Sequence, residues 1–255
     1  MELETVMRAF SSRRFATCVQ PNQDLERISQ ISNTTGVLSF RCQAILFDLD
    51  GVLVDSAECV ERTWRNWASR HRLDPEHVIA FAHGRRTIET VRLVAPGLDA
   101  EAEVAELEAG EAMKTEGIYE IETARDMVER LPVRRWAVVT SGVRAVAEFR
   151  LRHTRLPVPS VMICADEIAR GKPDPEGYLA AAAQLGNAPA DCIVIEDAPS
   201  GIAAARAAGM RVVAIASTFP PEQLTGADAV VERLGDLNVV SDDHTIRIEI
   251  AAQRR

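Results

Sequence analysis

Ala44-Ile45-Leu46-Phe47 is an unbroken apolar run that stops at Asp48-Leu49-Asp50-Gly51. A short apolar run ending in turn formers predicts a buried strand entering a turn. The same unit recurs along the chain. Trp136–Val139 precedes Thr140-Ser141-Gly142, residues 161–164 precede Ala165-Asp166, and residues 192–195 precede Glu196-Asp197. Residues 211–216 and Ala229–Val231 read as two further core strands. Helical spacing lies between them, most clearly at Glu176–Leu185 and at residues 200–208, the latter with Pro199 at its entry and Gly209 just past its end. Strands apolar on both faces that alternate with helices predict an α/β fold, a doubly wound parallel sheet covered on both sides. Such sheets bind ligands beyond the carboxyl ends of their strands. Every polar cluster just named falls there.

One connection is abnormal. From Asp48 to Thr140 the chain is far longer than a single crossover helix requires. Residues 58–72, Pro75–Ala82, Thr87–Val94, 100–115 and 123–131 all carry apolar positions at three- and four-residue spacing. The expected organisation is a core of residues 43–56 and 135–237, with an all-helical insertion over 57–134. That insertion would sit above the first strand's carboxyl end as a lid, opening for substrate and closing to exclude water. Residues 1–42 read as a poorly ordered extension with one short helix at 2–10, and residues 238–255 as a tail. Period-two character over 245–250 predicts an edge hairpin.

Composition narrows the partners. The 255-residue chain carries 29 basic and 38 acidic residues, a net charge of −9, and only 5% aromatics. An acidic chain without a basic cluster or a stacking surface is not expected to bind nucleic acid. No apolar run approaches the roughly 18 residues that cross a bilayer. Glu2 and Glu4 stand where a secretory signal has basic residues. Arg8, Arg13 and Arg14 beside Phe10 and Phe15 resemble an organellar presequence only weakly, and a poorly ordered tail is the preferred reading. Cys18, Cys42, Cys59, Cys164 and Cys192 are odd in number and widely spaced. They read as small buried hydrophobes in a reducing compartment, hence a cytoplasmic protein. A monomer is compatible with the sequence. Of the 29 basic residues only Lys114 and Lys172 are lysines. Lys114 sits in a charged helical stretch and is expected to be solvated. Lys172, in the loop Arg170-Gly171-Lys172-Pro173, is a compact ammonium where a forked guanidinium would not substitute.

Asp48 and Asp50 are one residue apart after a strand, and two carboxylates that close repel unless a cation lies between them or one is protonated. Glu196-Asp197 brings more negative charge to the same rim. A hard divalent ion would neutralise the cluster, and Mg²⁺ favours a few carboxylates together with water and phosphate oxygens. Lys172 and the amides and hydroxyls of Thr140, Ser141 and Gly142 could hold an anion beside it. Singly, each cluster has a plain explanation: a solvated turn, a helix N-cap, a loop cap, a surface charge. Four of them converging in chain order on one sheet edge is poorly explained that way.

These residues resemble the haloacid dehalogenase-like phosphatases with a helical cap after the first strand. Asp48 to Ser56 is similar to the family's first motif, Thr140-Ser141-Gly142 to the second, Gly171-Lys172-Pro173 to the third and Glu196 to Gly201 to the fourth. The resemblance implies that Asp48 is a nucleophile that carries the phosphoryl group, and that Asp50 is the general acid and then the base. Thr140 would bind the transferring oxygens and Lys172 would pair with Asp48 and phosphate. Mg²⁺ would be held by Asp48, the carbonyl of Asp50 and Asp197, with Glu196 nearby or acting through water. Gly51 and Gly142 would keep backbone close to phosphate. An acid at Asp50 separates phosphatases and phosphomutases from dehalogenases and phosphonatases. The loop His83-Gly84-Arg85-Arg86-Thr87 resembles that of phosphatases acting on small sugar and polyol phosphates. It implies substrate contacts from Arg86 and His83, with Thr87 facing the site and Arg85 less so. The function implied is Mg²⁺-dependent hydrolysis of small sugar or polyol phosphates. A phosphomutase of the same fold and a non-catalytic binding protein are the alternatives.

Overall fold

The computed structural model describes residues 37–251 except Met113, Asp243 and His244, all within one unit spanning residues 32–255. The helix expected at 2–10, the arginines at 8, 13 and 14, and Cys18 lie outside the described residues. In chain order the elements are β1 (Val37–Cys42), β2 (Ala44–Phe47), β3 (Val54–Asp55), α1 (Ala57–Arg70), α2 (Pro75–Ala82), α3 (Thr87–Val94), α4 (Ala100–Glu111), β4 (Tyr119–Glu120) and α5 (Ala124–Glu129). They continue with β5 (Trp136–Val139), α6 (Arg144–His153), β6 (Met162–Ile163), α7 (Glu176–Leu185), β7 (Cys192–Glu196), α8 (Pro199–Ala207), β8 (Arg211–Ile215), β9 (Ala229–Val231), β10 (Leu237–Ser241) and β11 (Ile246–Ala251).

Six strands pair in the order β6-β5-β2-β7-β8-β9, all parallel. The uninterrupted apolar run of β2 has its reason in this position. All four of its residues are fully buried, and because strand side chains alternate, each face meets a different layer. Ile45 and Phe47 pack with Ala147 and Leu151 of α6 and with Met127 and Val128 of α5. Ala44 and Leu46 pack with Tyr178, Ala181 and Ala182 of α7 and with Ile202, Ala204 and Ala205 of α8. This is the doubly wound sheet expected. The chain leaves β2 for β5 on one side and later returns to β7 on the other, which makes β2 the switch point where such folds bind ligands. Phe47 pairs with Val138 and with Ile195, so Asp48, Thr140 and Glu196 emerge at one rim.

The insertion has a core of its own, built from Trp64, Trp67, Val78, Ile79, Val91 and Leu107 with smaller residues between them. Two of its helices start where side chains cap them: Asp74 accepts from Glu76 N (3.1 Å) with Pro75 in the first turn of α2, and Asp99 accepts from Ala102 N (3.2 Å) at α4. Three expectations need correction. The insertion is not purely helical, because the chain enters and leaves it through an antiparallel pair, β3 with β4. The segment 123–131, read as part of the insertion, forms α5 and packs in the core cluster on the sheet. Residues 37–42 and 237–251 belong to the core rather than to loose ends: β1, β11 and β10 form a separate three-stranded antiparallel sheet. Phe40, Cys42, Ile246, Ile248 and Ile250 of that sheet pack into the cluster beneath β2. The period-two pattern at 245–250 forms β11, whose hairpin with β10 does not extend the main sheet. Cys42, Cys59, Cys164 and Cys192 are buried and unpaired, as small hydrophobes would be. Among the described residues no helix is long and apolar enough to cross a membrane.

Candidate active site

The centre of the rim is an ammonium between two carboxylates. Lys172 Nζ donates to Asp48 Oδ1 and to Glu196 Oε1 (2.7 Å), and all three side chains are buried. Glu196 is fully occupied. Its Oε1 also accepts from Tyr178 Oη (3.0 Å), and its Oε2 accepts from the backbone of Asp197 and Ala198, both at 2.8 Å. Lys172 further sits over the Tyr178 ring, 5.3 Å from its centre. Glu196 is therefore an anchor for Lys172 rather than a free acid. Burial works against the Lys172 ammonium, yet Asp48 and Glu196 outweigh it and hold its pKa well above the ordinary lysine value. One chemical consequence is a fixed positive charge at Asp48 across the working pH range.

Asp48 Oδ2 accepts no hydrogen bond from the described residues. Burial raises the Asp48 carboxyl to about 7 against the pull of Lys172, with Glu196 and Asp50 adding repulsion. Burial, then Glu196 and Asp48, push Asp197 well above the usual carboxylate range. Asp197 lies over Gly51, which has φ +82°, and a Cβ there would fall 1.9 Å from Asp197 Oδ2. Glycine is needed at this turn both for its left-handed backbone and for the space. Gly142 is different, since a Cβ would meet only Thr140 Oγ1 at an ordinary 3.5 Å.

Three buried carboxylates, Asp48, Glu196 and Asp197, thus face one ammonium. That imbalance and the all-oxygen donors fit a hard divalent cation. Among the described residues no three His, Cys, Asp or Glu side chains are grouped to hold a metal by themselves. An ion here would take two carboxylates and leave its other positions to a carbonyl, water and phosphate oxygens, which suits Mg²⁺.

A cavity of about 570 Å³ opens over Asp48, walled by the core rim on one side and by the insertion on the other. Thr140, Ser141 and Gly142 line it. Thr140 is buried, with Oγ1 accepting from Gly142 N (3.1 Å). Ser141 Oγ is committed to the carbonyl of Gly84 (3.1 Å), which also accepts from Ser200 Oγ (3.0 Å), so this hydroxyl seats the insertion's loop rather than facing the cavity freely. His83, Arg85 and Thr87 line the cavity. Burial lowers the His83 imidazole, which packs edge-on against Phe219. Arg86 does not face the cavity. Its guanidinium binds Glu89 (2.6 Å) and the carbonyls of Ile168 and Ala169 (3.1 Å each), and it covers Gly171 beside Lys172. The expected order of the two arginines is reversed: Arg85 is at the cavity, and Arg86 clasps the insertion to the lysine loop. Lys114 is half-buried with Nζ on Thr63 Oγ1 (2.9 Å), not simply solvated.

Asp50 lies at the cavity with Oδ1 accepting from Ser56 Oγ (2.6 Å) and Arg150 Nη1 (2.7 Å). Both contacts fall on Oδ1, which leaves Oδ2 at the cavity. Sequence reasoning missed Arg150, Glu111 and Tyr178. The available signal was helical phase: Arg150 shares the buried stripe of α6 with Val146, Ala147 and Leu151, where a charge needs a partner.

Residues 42–209 match the model of the haloacid dehalogenase-like hydrolases. The chain is 43% identical over 204 residues to hexitol phosphatase A of Escherichia coli, covering 78% of this chain and 94% of that one. It is 35% identical to glycerol-1-phosphate phosphohydrolase 2 of Saccharomyces cerevisiae, covering 82% and 92%. Among solved structures, a hydrolase from Pseudomonas syringae superposes with a TM-score of 0.69 at 25% identity, covering 75% of this chain and 94% of that one. Core, rim and sequence agree, and the chain belongs to the haloacid dehalogenase-like hydrolase family.

Proposed function

We propose that this chain is a Mg²⁺-dependent phosphomonoesterase that releases phosphate from small polyol or sugar phosphates through an aspartyl-phosphate on Asp48. The carrying observation is the rim itself: a buried carboxylate with one oxygen on Lys172 and the other open to the cavity, beside Asp197. Asp48 Oδ2 attacks phosphorus while the bond to the substrate oxygen breaks. Asp50 delivers a proton to the departing alkoxide, then takes one from the water that attacks the aspartyl-phosphate. Lys172, held by Glu196 and Tyr178, balances charge on Asp48 and the phosphoryl oxygens, and Thr140 is placed to bind those oxygens. Asp48, Asp197 and the Asp50 carbonyl would hold Mg²⁺, which when bound supplies charge neutralisation for the phosphoryl group.

Likeness to a hexitol phosphatase and a glycerol-1-phosphate phosphohydrolase supports the substrate class. So does the cavity wall, where His83, Arg85 and Thr87 offer hydroxyl and phosphate partners and Val60 and Trp64 an apolar side. The reading takes the protein as cytoplasmic, acting on a small molecule and on neither nucleic acid nor membrane. Phosphate release measured over hexitol, glycerol, sugar and nucleoside phosphates, with Mg²⁺ or EDTA, tests it. Turnover of polyol phosphates that EDTA abolishes is expected. Isomer interconversion dependent on a sugar bisphosphate would replace it with a mutase, and no turnover at all would leave a binding protein.

A further inference from the structure

Arg150 has no part in the chemistry above, yet it is the most buried guanidinium among the described residues, at 3% exposed. It lies on α6, a core helix. Its Nη1 reaches Asp50 Oδ1 at 2.7 Å, and its Nη2 reaches Glu111 Oε2 at 3.3 Å. Its Nε is buried without a hydrogen-bond partner. Buried ion pairs rarely stabilise a fold better than apolar residues of the same volume, and an unpaired Nε adds to the cost. An arginine placed so is a poor device for helix packing alone.

Its two partners come from different layers. Asp50 follows the central strand, and Glu111 is the last residue of α4 in the insertion. Asp50 Oδ1 takes both Arg150 and Ser56, while Oδ2 receives no hydrogen bond from the described residues and the group lies at the cavity. Two donors on one oxygen fix the rotation of the carboxyl. The atom left to exchange a proton is then the one that faces substrate.

We infer that Arg150 is a positioning residue for Asp50: it holds Oδ1 so that Oδ2 meets the leaving oxygen, and Glu111 ties that hold to the insertion. This rests on the phosphatase reading, in which Asp50 serves the leaving group. A leaving group that needs no proton should not feel the loss of the hold. The test is therefore the rate of phosphoenzyme formation in the full-length, Mg²⁺-loaded protein, measured with glycerol phosphate and with 2,4-dinitrophenyl phosphate, whose phenolate departs unaided.

In Arg150→Met the rate from glycerol phosphate is expected to fall about 10²-fold while the dinitrophenolate burst stays within about threefold of the parent. Arg150→Lys should recover part of the glycerol phosphate rate. Glu111→Gln should lower that rate with the burst again retained. Equal losses on both substrates, or no loss on either, would overturn the inference. If Arg150→Met does not fold by circular dichroism, the other two variants decide by the same comparison. A parent protein with no burst and no phosphoenzyme would instead remove the phosphatase reading, and this inference with it.

Discussion

Gly201 lies inside α8, one turn past the fourth motif's acids. A methyl group there would sit 1.5 Å from Glu196 Oε1, 2.0 Å from its Cδ and 2.6 Å from Oε2. Glu196 cannot step aside, because it is fully buried and its oxygens are taken by Lys172, Tyr178 and two backbone amides. Two effects of Gly201→Ala oppose each other. Alanine favours a helix interior over glycine by about 1 kcal/mol. Displacing one partner of a buried, hydrogen-bonded ion pair costs about 3–5 kcal/mol. The second wins, for a net loss of about 2–4 kcal/mol, or a fall of about 5–15 °C in melting temperature for a unit of this size. Turnover should fall about 10²-fold as Lys172 loses its anchor. Gly110→Ala in exposed α4 is the control: nothing lies within 4 Å of the added methyl, and a gain of about 1 kcal/mol is expected. Thermal melts followed by circular dichroism, with phosphate release on the same samples, read both. Gly201→Ala as stable as its parent would refute the packing argument for Glu196.

Three further outcomes follow from the same contacts. Tyr178→Phe removes one of two donors from Glu196 Oε1 and should destabilise by about 1–2 kcal/mol in urea unfolding while leaving some turnover; an unchanged midpoint would contradict it. Asp48 and Asp197 have folded pKa values raised above the unfolded ones, so the native protein keeps protons that the unfolded chain releases, for Asp48 between about pH 4 and about pH 7. Their stabilisation is complete below that window and lost as pH rises through it, Lys172 stays charged throughout, and His83, whose pKa is lowered, works weakly the other way. Mg²⁺ should therefore raise the melting temperature more at about pH 7.5 than at about pH 5, and an equal or reversed increment would refute the shared site. Arg86→Ala releases the clasp between the insertion and the lysine loop and should raise KM several-fold with a smaller change in kcat, whereas an unchanged KM would speak against that role.

The central sheet was legible because burial on both faces leaves unbroken apolar runs, and the rim because its acids, hydroxyls and lysine stand at run ends. Spacing in the chain carries no information about pairing partners far away. Residues 37–42 alternate, with Phe40 and Cys42 inward, but β1 pairs with β11 some two hundred residues later, so its strand is invisible locally. Helical phase fixed that 123–131 is amphipathic, not which core its apolar side would meet. Arg85 and Arg86 are adjacent, and which one faces the cavity depends on the turn into α3, whose N-cap is Arg86 itself. Arg150 and Glu111 were hidden because each is one of many charged helical residues, and only the packed structure joins them to Asp50.

The most direct test is to quench the enzyme in acid during turnover of a polyol phosphate and locate the phosphoryl group by peptide mass spectrometry. A labile phosphoryl group on Asp48, absent in an inactive but folded Asp48→Asn, is the expected result. Sustained turnover by Asp48→Asn, or a phosphoryl group on another residue, would contradict the account.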